Sequence, residues 1–181
     1  MFIFGHIGIT LGIFMLLKMH PSFSKIPIDL RLVVLGSILP DLIDKPLKLF
    51  IFADSMSSGR TYGHTLLFCL LLFLGAIYLW KKKNNSAVLV IPVASFLHLI
   101  QDRMWMTPET LFWPLMGWEF PRGSYSPSII DYFLNMFSSS YTPAAGYVFT
   151  SELLGILILG IAGIFYIRKY FTKNRKLNCE S

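Results

Sequence analysis

The chain has 181 residues, of which 54% are hydrophobic and only 14% charged, and it carries a formal net charge of +6. So low a charged fraction, with a mean hydropathy of +0.59, excludes an ordinary soluble domain and points to an integral membrane protein. The excess of cations calls for no nucleic acid partner, because the lysines and arginines fall where membrane topology puts them.

Five apolar segments can be set in order against a bilayer that needs about 20 apolar residues per helix. They are 2–19, 30–43, 64–80, 87–104 and 153–167. The first could be taken for a signal peptide, but it lacks a basic start and a small-x-small cleavage site and carries His6, so it reads as a retained span. The second is short and broken by Pro40 and Asp41, which suits a helix whose freed backbone groups are satisfied by protein or a water-filled cavity. Between the fourth and fifth lies a long apolar loop. Its Trp105, Trp113 and Trp118, with Phe112 and Phe120, suit the aromatic belt at the lipid headgroups, and Ser126-Pro127 can start an interfacial helix bearing Ile129, Ile130, Phe133, Leu134 and Phe137.

The predicted fold class is therefore all-α, a membrane helical bundle of about five hydrophobic helices plus an interfacial helical segment. No linker, repeat or low-complexity tract divides it: one domain covers 1–181, with a motif-bearing core at 1–121, a roof at 122–151, and a final span with a basic tail at 152–181. Cys69, within a span, and Cys179, in the tail, lie too far apart to pair.

Orientation follows from the basic residues. Lys81, Lys82 and Lys83 close the third segment, and Arg168, Lys169, Lys173, Arg175 and Lys176 follow the fifth, so both ends are expected in the cytoplasm. Alternation then puts Lys18, Lys25 and Arg31 inside as well, giving 11 basic residues inside against 5 outside. The expected location is the cytoplasmic membrane, multi-pass, with the N-terminus outside and the lipid bilayer as partner.

This topology brings His6, Asp41, Asp44, His64, His98 and Asp102 to the outer membrane face. His98 and Asp102 are four residues apart, the spacing that stacks two side chains on one helix face within reach of one cation. Intramembrane ionisable residues are costly and read as functional by default; taken alone, the pair also fits a buried His-Asp hydrogen bond, and Asp41 or Asp44 a capping aspartate. Three imidazoles and three carboxylates without a thiolate suit zinc, with iron or manganese as other options. His20, before Pro21 on the inner side, reads as a solvated loop residue.

The same residues carry a family resemblance. Phe4-Gly5-His6, Leu39-Pro40-Asp41, Arg60 through His64-Thr65-Leu66-Leu67, and His98-x-x-x-Asp102 followed by Thr107-Pro108 and Trp113-Pro114 resemble motifs of the YdjM-like family. That family is described as membrane-bound metal-dependent hydrolases, distantly similar to zinc-dependent phospholipase C and related single-strand nucleases. The resemblance covers residues up to about Pro121. It implies a divalent metal, most simply one or two zinc ions, with His6, Asp41, His64, His98 and Asp102 as ligands. Asp41 would bridge or act as general base, Asp44 would support it, and Arg60 would clamp an anion. The sequence departs from the family pattern in spacing Asp41 and Asp44 by two residues rather than one, and in having Gly59 and Gly63 where the family has His and Thr. No histidine follows His98, so a three-metal cluster like that of the soluble phospholipases is not expected.

The expected activity is hydrolysis of a lipid or lipid-linked phosphoester by a metal-activated water. The alternatives are a metal or proton transporter, in which the same groups form a relay, and a non-catalytic membrane module stapled by a metal.

Overall fold

The computed structural model describes residues 3–23, 26–50, 59–121 and 129–179. Among them there is no strand. Seven helices follow in order: α1 (Ile3–Met19), α2 (Leu30–Phe50), α3 (Leu66–Lys83), α4 (Val90–Gln101), α5 (Pro108–Leu111), α6 (Ile129–Ser140) and α7 (Tyr147–Cys179). Short 3-10 turns at Tyr62–His64, Ser86–Leu89, Met104–Met106 and Pro143–Ala145 lead into or join them.

The helix ends follow from local chemistry. Asp29 starts α2, its Oδ1 accepting the Arg31 N–H at 2.9 Å. Thr65 caps α3 by accepting from the Phe68 N–H at 3.0 Å, and Asn84 ends it in the left-handed region at φ 50°, where asparagine is tolerated better than most residues.

Close backbone approach binds α1 to α7. A Cβ on Gly8 would run into the Gly155 carbonyl, one on Gly155 into the Phe4 carbonyl, and one on Gly12 would press on Ile158 at 3.1 Å. Small residues four apart are a recurrent way of packing helices in membranes, because they let backbones touch. α2 lies between α1 and α4, and α3 packs on α4.

The molecule is apolar outside and polar at its centre. Leu11, Phe14, Ile28, Val33, Val90 and Ala94 form one apolar cluster. Yet the fully buried set also holds His6, Thr10, Ser37, Asp44, His64, Ser95, His98 and Glu152. Large apolar side chains meanwhile face outward along α3 and α7, including Leu71 at 59% and Phe165 at 62% exposed. Such an outer surface is stable against lipid rather than water.

Only α7, over the 26 residues Tyr147–Thr172, is long and apolar enough among the described residues to cross a bilayer. The other four expected spans are helical but shorter or interrupted. α1 and Ser86–Gln101 are apolar yet under full length, α3 gives its last turn to Lys81, Lys82 and Lys83, and α2 carries Pro40 and Pro46 among charged residues. Several boundaries move accordingly. α2 runs past the expected end at 43 to Phe50, His64 lies in the turn before α3, α4 begins at Val90, and α7 begins at Tyr147 rather than 153. α6 occupies the expected interfacial segment and exposes Ile130 at 70% and Leu134 at 61%. Ser126-Pro127, Asp54, Arg122 and Lys25 lie outside the described residues.

Candidate metal centre

The centre is assembled around a defect in α2. Pro40 has no N–H to give to the carbonyl of Gly36 and its ring crowds that carbonyl, so the ladder opens there. Ser95 of α4 donates its hydroxyl to the Gly36 carbonyl at 2.9 Å. The next carbonyl, that of Ser37, accepts from His98 Nδ1 at 2.7 Å. A second close approach keeps the two helices together, since a Cβ on Gly36 would lie 2.6 Å from the Ile91 carbonyl. The carbonyl beside the opening made by Pro40 thus orients His98.

His64 is oriented by Asp44. The two Asp44 oxygens accept from the backbone N–H groups of Thr61 at 2.6 Å and Gly63 at 2.8 Å, and Oδ2 also lies 2.7 Å from His64 Nδ1. No side chain fits at position 63, where a Cβ would stand 2.7 Å from the Pro40 carbonyl and 3.1 Å from Asp44 Oδ1. Gly63 is thereby matched to Asp44. Thr65 then locks the turn, its hydroxyl donating to the Tyr62 carbonyl at 2.9 Å.

The remaining nitrogens and oxygens converge. His64 Nε2 and His98 Nε2 are 3.2 Å apart. Asp41 Oδ1 lies 3.7 Å from the first and 3.9 Å from the second, while Asp41 Oδ2 is held by Lys45 at 2.8 Å. Asp102, the residue that closes α4, still bonds its N–H to the His98 carbonyl at 2.9 Å, so the helical spacing survives to that point. Its Oδ2 lies 3.6 Å from His64 Nε2 and accepts from Arg60 Nε at 2.8 Å, and its Oδ1 lies 3.1 Å from His6 Nε2. That last contact is close without the direction of a hydrogen bond: both ring nitrogens of His6 lack a hydrogen-bond partner. The His6 ring stacks on His98 at 3.7 Å.

Two ligand triads result, His6-His98-Asp102 and Asp41-His64-His98, each with donor atoms within 4.8 Å of one another. They share His98, whose Nδ1 is already engaged by Ser37, so one ring nitrogen serves both. Zinc ligand atoms at about 2.0–2.2 Å in a tetrahedron are about 3.3–3.6 Å apart. The separations of 3.2, 3.6 and 3.7 Å around His64 Nε2 approximate that geometry, and the residues fit a cation of this class.

All six expected site residues, and Arg60, therefore meet in one place, but not in equal standing. Asp44 is turned away from the convergence point to hold His64, and Arg60 engages Asp102. Three supporting features escape a reading of the sequence: the Ser37 carbonyl, Lys45 beside Asp41, and Glu152. Lys45 is signalled by its spacing of four from Asp41, and Glu152 by being an acidic residue flanking an apolar run. Outside the centre, the Tyr62 ring meets Trp113 edge-on at 5.2 Å and Phe120 at 5.0 Å, which seats the aromatic loop on the turn that bears His64.

Comparisons with curated proteins and with solved structures give no match. A family model described as YdjM inner membrane protein matches residues 1–175. That match takes in every residue of the centre and the spanning stretch of α7, and the chain belongs to the YdjM inner membrane protein family.

Proposed function

We propose that the protein is a membrane-bound, metal-dependent hydrolase acting on a phosphoester of lipid character. One observation carries the reading: the facing Nε2 atoms of His64 and His98, 3.2 Å apart. Each ring has its Nδ1 against an acceptor, a carboxylate for His64 and a carbonyl for His98, so in the neutral rings Nδ1 carries the hydrogen and Nε2 presents a lone pair. Two lone pairs aimed at each other call for a proton or a metal ion between them, and the Asp41 and Asp102 carboxylates beside His64 Nε2 favour the metal.

Asp41, His64, His98 and Asp102 would hold that cation, with His6 joining through its place beside Asp102. The nitrogen and carboxylate donor set favours zinc. Because His98 offers a single lone pair, one ion is the simplest occupancy. A bound ion of this kind supplies hydroxide near neutral pH and polarises a phosphoryl oxygen.

The chain's own groups have separable tasks. Lys45 pins Asp41 Oδ2, which leaves Oδ1 directed at the imidazoles, where it would hold the cation. Arg60 fixes Asp102 through Nε, and with its side chain 41% exposed it can meet an incoming phosphoryl oxygen. The substrate class rests on the surroundings. Trp118 at 77%, Leu115 at 88% and Met106 at 69% exposed ring the loop over the site and suit the headgroup layer, where an amphiphile would present its phosphoester. With the basic ends of α3 and α7 in the cytoplasm, this face is the outer one.

A transport role fits less well, because the ionisable ligand residues gather in one cluster, while Leu11, Phe14, Val33 and Val90 pack into an apolar one. The test is metal analysis of the purified protein, followed by phosphodiesterase assays on lipid substrates in mixed micelles, with Asp41→Asn and His98→Ala as controls. Zinc-dependent turnover lost in both variants supports the reading. Metal without turnover leaves a structural site, and metal flux into liposomes a transporter.

A further inference from the structure

Glu152 is fully buried on α7. Its Oε1 accepts from the Gly5 N–H at 2.9 Å, and its Oε2 from the Phe4 N–H at 3.1 Å and from the Tyr141 hydroxyl at 3.1 Å. Phe4 and Gly5 are the second and third residues of α1, whose N–H groups an N-cap side chain normally serves. Residues 1–5 include no Ser, Thr, Asp or Asn. The cap is supplied from another helix 147 residues away in sequence.

We infer that Glu152 is a positioning residue for His6: by capping α1 from α7 it fixes the imidazole that follows Gly5 against His98 and Asp102. The inference rests on the metal-site reading for its consequence, though not for its geometry.

His64 and His98 are each held by an acceptor on Nδ1. His6 has no such acceptor, and neither of its ring nitrogens is hydrogen-bonded. What holds its ring is the stack on His98 at 3.7 Å, the Asp102 carboxylate 3.1 Å from its Nε2, and the backbone that carries it. That backbone is the first turn of a helix, the part that frays when its N–H groups lack partners. A carboxylate there also favours the positive end of the helix dipole. Close packing adds to the constraint, since Gly155, three residues on from Glu152, leaves no space for a Cβ against Phe4 and Gly5. Burial and then the Glu152 charge push the Tyr141 phenol up to about 12, so it stays a donor to the cap. The full-length span α7 thus carries the group that sets the first ligand helix.

The experiment uses the full chain in lipid nanodiscs with Glu152→Gln, Glu152→Ala, His6→Ala and the Glu152→Ala/His6→Ala pair. Two readouts are taken: amide hydrogen exchange at residues 4–6 without metal, and zinc affinity by competition. Glu152→Ala is expected to speed exchange in that turn at least about tenfold and to weaken zinc binding about 10–100-fold, the range for groups that orient ligands. Adding His6→Ala to it should cost little more, because both act through one imidazole. Glu152→Gln keeps one carbonyl acceptor and should fall between, which covers the case in which Glu152→Ala does not fold. Unchanged exchange in both Glu152 variants overturns the inference whatever zinc does, as does a double variant whose losses multiply. Faster exchange in a chain whose wild type binds no zinc supports the cap and removes the metal reading instead.

Discussion

His64 and His98 come from different helical elements, yet their Nε2 atoms stand 3.2 Å apart because each ring is turned by its own Nδ1 acceptor. Asp44 is the acceptor for His64, and it also takes two backbone N–H groups. Replacing it by Asn leaves one oxygen for three donors. Asp44→Asn is expected to weaken zinc binding about 10–100-fold and to lower stability by about 1–3 kcal/mol through an unpaired buried donor. Zinc competition and thermal unfolding in detergent measure the two effects on one sample.

Pro40 separates affinity from stability in the opposite sense. Alanine restores an N–H for the Gly36 carbonyl and removes the ring that opens the helix, a change that favours helix formation. The helix then closes at Gly36 and shifts the neighbouring Ser37 carbonyl, the acceptor that turns His98. Pro40→Ala should keep or raise the unfolding temperature while weakening zinc about tenfold, the lower end of the range for an orienting group.

Much of this centre was legible in the sequence, and the reason is periodicity. The alternation of apolar segments and basic residues led to the expectation that His6, Asp41, Asp44, His64, His98 and Asp102 share one face, and the structure places these six residues together. The roles within the set were less legible. That Asp44 faces the backbone of residues 61–63 depends on a turn whose shape the sequence does not spell out, and Glu152 acts across 147 residues. The length of the spans was overread, because segments that carry site charges, such as α2 with Asp41, Asp44 and Lys45, cannot also be uniformly apolar.

Glycines distinguish packing from mere presence. At Gly63 a Cβ would meet the Pro40 carbonyl at 2.7 Å, a backbone atom that cannot swing aside. Gly63→Ala should lower stability by about 1–3 kcal/mol and reduce zinc uptake with it. Gly75 on α3 has nothing within 4 Å of the same position, so Gly75→Ala should leave zinc uptake unchanged and raise stability by about 0.5–1 kcal/mol. Unfolding curves of the two variants side by side test this contrast.

A bound ion stabilises the fold that binds it, by an amount set by its concentration relative to Kd. At zinc about 100 times Kd the gain is about 2.7 kcal/mol. Chelation should therefore lower the unfolding temperature of the wild type, and should leave that of His64→Ala nearly unmoved. Scans with and without chelator, on both proteins, give the result directly.

The central claim is that His64 and His98 share a cation with Asp41 and Asp102, and equilibrium zinc stoichiometry on the purified wild type and His98→Ala tests it most directly. About one zinc per chain in the wild type, lost in His98→Ala, is the predicted result, in keeping with a single ring nitrogen serving both triads. A folded wild-type chain that takes up no zinc, or a His98→Ala variant that binds it as tightly, would contradict the account.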